Sequence, residues 1–71
     1  MAKQRKFYQH YNEGDMIYDT YEGRMLIVKD CFEDGRVYLC SVSEEDEDGV
    51  EIEKEDQLFT HTELSLMEAY Q

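Results

Sequence analysis

Proline and tryptophan are absent from the 71-residue sequence, and cysteine, glycine and basic residues are scarce. Each shortage excludes something. The two cysteines, Cys31 and Cys40, stand nine residues apart, form no C-x-x-C pair, and stand at no zinc-ligand spacing from His10 or His61. Neither a disulfide framework nor a zinc site is therefore predicted, and both thiols read as small, buried apolar groups in a hairpin of a cytosolic protein. Cys31 with His10 or His61 lacks a third orienting group, so no nucleophile–base pair is predicted. Without a Gly-rich phosphate loop or a proline-framed pocket, a chain this short has little room for a catalytic cleft of about 300 Å³. The expectation is a non-enzyme without a cofactor. The longest apolar run is four residues, Met25 to Val28, against the ~20 of a membrane helix. The N-terminal stretch "MAKQRKFYQHYN" has bases but no apolar stretch of a secretory leader. A soluble, cytoplasmic protein is expected.

What the sequence does have is acid. Eighteen Asp and Glu face seven Lys and Arg, a formal net charge of −11. Residues 1–12 hold Lys3, Arg5 and Lys6 and no acid, so they form a basic arm, with Phe7, Tyr8 and Tyr11 available to dock its distal half. Residues 13–71 hold all eighteen acids and four bases, a net of −14. That exceeds the magnitude of about 2–8 sufficient for solubility of a small domain, and its self-repulsion opposes folding. Nucleic acid and anionic membrane are disfavoured as partners for this body. A basic protein is favoured.

Disorder is not expected, because the aromatic and aliphatic residues recur periodically. "NEGD" at 12–15 is a turn signal, and Met16 to Thr20 reads as a first strand. "RMLIVKDCF", Arg24 to Phe32, and "RVYLCSVS", Arg36 to Ser43, read as two strands of a hairpin. "EDG" between them fits a type I turn with Gly35 left-handed. After the acidic loop Glu44–Gly49, "VEIEKED" alternates, pointing Val50 and Ile52 into a core and Glu51, Glu53 and Glu55 outward. Leu58 and Phe59 belong to a last short strand. Thr60 and Glu63 form a capping box, with Thr62 as the alternative cap, for a helix that packs Leu64, Met67 and Tyr70 on the sheet. The predicted class is mainly β (α+β): a small curled antiparallel sheet, or an SH3-like barrel, of four to five strands with a short C-terminal helix. The run "EGDMIYDTYEGRMLIVKDC" resembles the opening of SH3-like barrels in strand length and turn position. It lacks the tryptophan of peptide-binding members, so PxxP recognition is not implied.

Between residues 44 and 56, nine of thirteen residues are carboxylates. Setting Gly49 at position 6 of a calcium loop puts Glu44, Asp46 and Asp48 at positions 1, 3 and 5 and Glu55 at position 12. The first of these is Glu in place of Asp, and the loop runs into a strand where flanking helices are required, so no metal site is predicted. The strand fixes a spacing of roughly 6.8 Å between alternate carboxylates, half the density of a DNA strand with one charge per ~3.4 Å. The candidate binding residues are Glu44, Glu45, Asp46, Glu47, Asp48, Glu51, Glu53, Glu55 and Asp56, reinforced by Asp30, Glu33 and Asp34 from the neighbouring hairpin.

In size, acidity and composition the chain resembles the DNA-mimic proteins, small acidic inhibitors from bacteriophages and mobile elements. Within that class it looks like the host-takeover proteins of lytic Bacillus phages. That resemblance implies occlusion of the nucleic-acid-binding surface of a basic host protein such as the histone-like nucleoid protein HU, within the bacterial cytoplasm. The basic arm departs from the pattern of a pure mimic. The rival reading is an SH3-like adaptor that binds protein through an aromatic patch around Tyr18 and Tyr21, tyrosine being enriched at interfaces.

Overall fold

A computed structural model describes residues 11–69. Four strands, β1 (Met16–Asp19), β2 (Arg24–Phe32), β3 (Val37–Glu45) and β4 (Glu51–Thr60), are followed by one helix, α1 (His61–Ala69). They form a single antiparallel sheet in the order β1-β2-β3-β4. Of the two predicted architectures, the open sheet is the one that forms. Among the described residues no ladder joins β1 to β4, so it does not close as a barrel.

The turns follow from local chemistry. Gly14 adopts φ 93° and donates its N–H to Val28 O at 2.8 Å, which ties the entry turn to β2. The β2–β3 connection differs from expectation. Glu33, Asp34 and Gly35 all have positive φ, and β3 starts at Val37, not Arg36. The turn with a single left-handed glycine sits instead at the other end of β3. There Gly49, φ 82°, donates to Asp46 O at 3.0 Å. The separate last strand predicted at Leu58 is the continuation of β4, which runs unbroken through ten residues.

One face of the sheet carries the core: Ile17, Leu26, Val28, Tyr38, Cys40, Val42 and Phe59, covered by Leu64 and Met67 of α1 and by Tyr11. Tyr11, counted in the arm by sequence, is a core residue. Its ring meets Tyr38 edge-on at 5.4 Å, and its hydroxyl donates to Glu68 Oε1 at 2.8 Å. Burial raises the pKa of both phenols. The capping box forms as predicted: Glu63 N donates to Thr60 Oγ1 at 3.1 Å and Thr60 N donates to Glu63 Oε1 at 2.8 Å. Tyr70 lies outside the described residues, as do residues 1–10 of the arm.

Two expectations about burial are corrected. Val50 and Ile52 are 56% and 41% exposed. Ile52 does lie on the helix side, opposite Glu44, but in that row α1 lies towards β1 and the β1–β2 turn and leaves the start of β4 uncovered, so alternation there marks a strand without a lid. Cys31 is exposed while Cys40 is buried. Burial, and secondarily Asp56, pushes the Cys40 thiol up to about 11.

Candidate functional site: the open face and its acidic margin

The helix covers only one side of the sheet. Residues directly opposite across a ladder share a side, so the registers assign the other side residue by residue. Tyr18 faces Met25, Met25 faces Ser43, and Ser43 faces Glu53. One row below, Met16 faces Ile27 and Ile27 faces Ser41. One row above, Glu45 faces Glu51. In the two rows Tyr18–Met25–Ser43–Glu53 and Met16–Ile27–Ser41, apolar side chains occupy β1 and β2 and hydroxyls β3, with carboxylates on β4; beyond the bulges the same side carries Leu39 opposite an exposed Leu58.

Two bulges interrupt this grid at one level. The β2–β3 register slips at Lys29, and the β3–β4 register slips between Lys54 and Gln57, so Glu55 and Asp56 both oppose Ser41. Bulges bend and twist a strand and re-aim its side chains. Here Lys29 Nζ donates to Asp56 Oδ2 at 2.7 Å across β3, and this hydrogen bond raises the lysine pKa. The alternation predicted for Glu51, Glu53 and Glu55 therefore holds for all three, Glu55 opposing Ser41 on the open side, and it breaks at Asp56, which the bulge turns to that same side.

The twelve candidate acids divide into distinct groups. Glu45, Glu51, Glu53 and Glu55 share the open side of the β3–β4 hairpin, and Glu47 and Asp48 extend it into the turn. Among the described residues no ion pair engages any of the six. Glu44 lies on the helix side, 4.0 Å from Lys54 Nζ. Asp56 is matched by Lys29. Asp46 is a structural residue: its Oδ1 accepts the backbone N–H groups of Asp48 and Val50, each at 2.9 Å, and holds the turn closed. Asp30, Glu33 and Asp34 do not join the acidic margin. They flank the opposite end of β3, and nine residues of strand place the two ends roughly 25–30 Å apart. The calcium-loop spacing has no counterpart in space either. Among the described residues no three His, Cys, Asp or Glu side chains gather as ligands.

Sequence reasoning missed the buried pair Asp19–Arg24. Asp19 is 4% exposed; its Oδ1 accepts from Tyr21 N and Glu22 N, and its Oδ2 accepts from Arg24 Nε at 2.9 Å. The Arg24 guanidinium also lies 5.3 Å from the Phe59 ring centre. The available signal was that Asp19 falls two residues after Ile17, on the core side of β1. A cavity of about 380 Å³ adjoins this pair between the β1–β2 turn and α1. Tyr21, 96% exposed in that turn, does not share the open face with Tyr18.

No protein-family model, curated protein or solved structure matches the chain. No helix among the described residues is long and apolar enough to cross a membrane.

Proposed function

We propose that this protein is a non-enzymatic acidic inhibitor that occupies the nucleic-acid-binding surface of a basic protein in a bacterial cytoplasm, a phage-type DNA mimic with HU as the leading partner. The observation that carries the reading is the cluster Glu45, Glu51 and Glu53, held on one side of a hydrogen-bonded hairpin and continued by Glu47 and Asp48. A ladder fixes where each carboxylate stands, so lysines and arginines that hold phosphates meet an ordered set of anions. Encounter is steered by the net charge, and salt weakens it.

The test is displacement of labelled duplex DNA from purified HU. The protein is expected to displace DNA at 50 mM salt and to lose at least tenfold in apparent affinity by 300 mM. Reversing Glu51 and Glu53 to lysine is expected to abolish displacement, while reversing Glu13 and Glu22 reduces it by severalfold only. Glu63 and Glu68 are unsuitable controls, because the first caps α1 and the second holds Tyr11. Equal losses from the two pairs of substitutions refute an organised site.

The adaptor reading retains one specific observation. Tyr18 is 40% exposed on the open face, beside exposed Met16 and Ile27.

A further inference from the structure

We propose that the open face of the sheet receives a basic amphipathic helix of the partner protein, its apolar stripe on β1–β2 and its cationic stripe on β4. The inference rests on the proposed reading for the partner's positive charge, and it adds the partner's shape and polarity.

Solvated faces of antiparallel sheets are ordinarily polar. This one is not. Met16 and Ile27 are paired and exposed at 63% and 36%, and Tyr18 and Met25 are paired in the adjacent row. A contiguous apolar block of this kind marks a surface that is covered in use. Two of its four members are methionine, whose unbranched side chain adapts to different partner surfaces.

In the rows between the β1–β2 turn and the bulges, polarity changes in one direction across the sheet. The row Tyr18–Met25–Ser43–Glu53 runs from aromatic to carboxylate over three inter-strand steps, about 14 Å. A helix with side chains is about 10–12 Å across, so one helix spans the gradient and two do not fit. A concavity of about 290 Å³ joins the halves, with Tyr18, Met25, Glu45 and Glu51 among its walls. Such a pocket suits a lysine or arginine whose stem lies on the apolar floor while its charge meets the acids.

Charge selects among occupants. A second copy of a chain of net charge −11 would press acid against acid. The chain's own N-terminal segment carries Lys3, Arg5 and Lys6, and the experiment distinguishes it.

The probe is a fluorescein-labelled 18-residue peptide of leucine and lysine arranged as an amphipathic helix. A scrambled peptide of identical composition is the control, and both are titrated with the full chain by anisotropy at 50 mM salt. The amphipathic peptide is expected to bind at least tenfold tighter and to gain helical circular dichroism on binding. The double variant Met16→Gln, Ile27→Thr is expected to erase that preference while retaining affinity for the scrambled peptide. Tyr18→Ser, a separate test, is expected to reduce it. Glu51→Gln with Glu53→Gln is expected to weaken both peptides.

Equal affinity for the two peptides overturns the proposal, as does a preference untouched by the face variants. So does a preference that emerges only after Lys3, Arg5 and Lys6 are changed to Gln, which assigns the face to the chain's own arm. A dimer in sedimentation that the peptide dissociates assigns it to a second copy and also overturns the proposal. Loss of the peptide preference with DNA still displaced from HU removes this inference alone. Peptide preference without displacement removes the DNA-mimic reading alone.

Discussion

Replacing Ile52 by alanine should destabilise the protein less than replacing Val42 by alanine, although the isoleucine change deletes one more carbon. Both residues lie on the helix side of the sheet, one row apart, with Val42 opposite Lys54 and Ile52 opposite Glu44. Val42 is 2% exposed and sits in the core; Ile52 is 41% exposed and lies beyond it. For Val42, two buried carbons at ~0.8 kcal/mol each give about 1.6 kcal/mol. A residual cavity of about 50 Å³ at ~24 cal/mol per Å³ adds about 1.2 kcal/mol, for a total near 3 kcal/mol. For Ile52, three carbons would give about 2.4 kcal/mol if fully buried; scaled to its partial burial this is about 1–1.5 kcal/mol, with no cavity term because solvent fills the space. Urea unfolding at 0.15 M salt measures both, provided the m-values agree. A cost for Ile52→Ala equal to or above that for Val42→Ala would mean that the outer half of β4 is packed. The account of an open sheet end would then be wrong.

Three further outcomes follow from the same structure. Asp19→Ala leaves Arg24 without its carboxylate and should cost about 3–5 kcal/mol; Asp19→Asn keeps an acceptor for Tyr21 N and Glu22 N and should cost roughly half as much, both read by urea unfolding. Burial pushes the Cys40 thiol up to about 11 in the folded chain, against 9.0 for a solvated thiol. The unfolded chain therefore loses its proton first as pH rises, and stability that is complete below pH 9 should fall by about 2–3 kcal/mol towards pH 11. The same residue should resist iodoacetamide in the native protein while Cys31 reacts, and equal native rates would contradict the burial assigned to Cys40. Finally, Asp46→Ala should speed amide exchange across the Asp46–Val50 turn, for a loss of about 1 kcal/mol. Asp46→Asn should leave exchange nearly unchanged despite removing the same charge; matched effects would make Asp46 a charge rather than a turn residue.

Local chemistry made much of the fold legible. The capping box at Thr60 and Glu63, the turn at Gly14 and the pairing of β2 with β3 all depend on residues within a few positions of one another, and sequence displays such residues directly. What it does not display is the extent of a lid. Val50 and Ile52 alternate with acids as a half-buried strand does, and nothing in that pattern says that a nine-residue helix ends its coverage before reaching them. The bulges were equally silent. Lys29 and Asp56 are 27 residues apart, and only the two register slips make them partners. Conversely, Asp30, Glu33 and Asp34 looked close to the acidic loop because they precede it by one strand, whereas a strand carries its two ends as far apart as it is long.

The acids of β4 have a simpler use that has to be weighed against binding. β4 is an edge strand, and charge on an edge prevents a second sheet from pairing with it. Five of its ten residues are charged, ample for that purpose. Edge protection, however, asks for charge of either sign, and lysine serves it best. It also gives no reason to set Glu45 opposite Glu51, since like charges directly across a ladder are destabilising. Of the bases of this region, Lys54 turns to Glu44 on the helix side, while Lys29 reaches Asp56 on the open side, close to Glu53. Among the described residues Glu45, Glu51 and Glu53 enter no ion pair, and they lie on the open side with the apolar block of Met16, Tyr18, Met25 and Ile27. Protection of an edge accounts for the presence of charge on β4. It does not account for the repulsive pair or for an apolar neighbour left uncovered, and a basic amphipathic partner accounts for both.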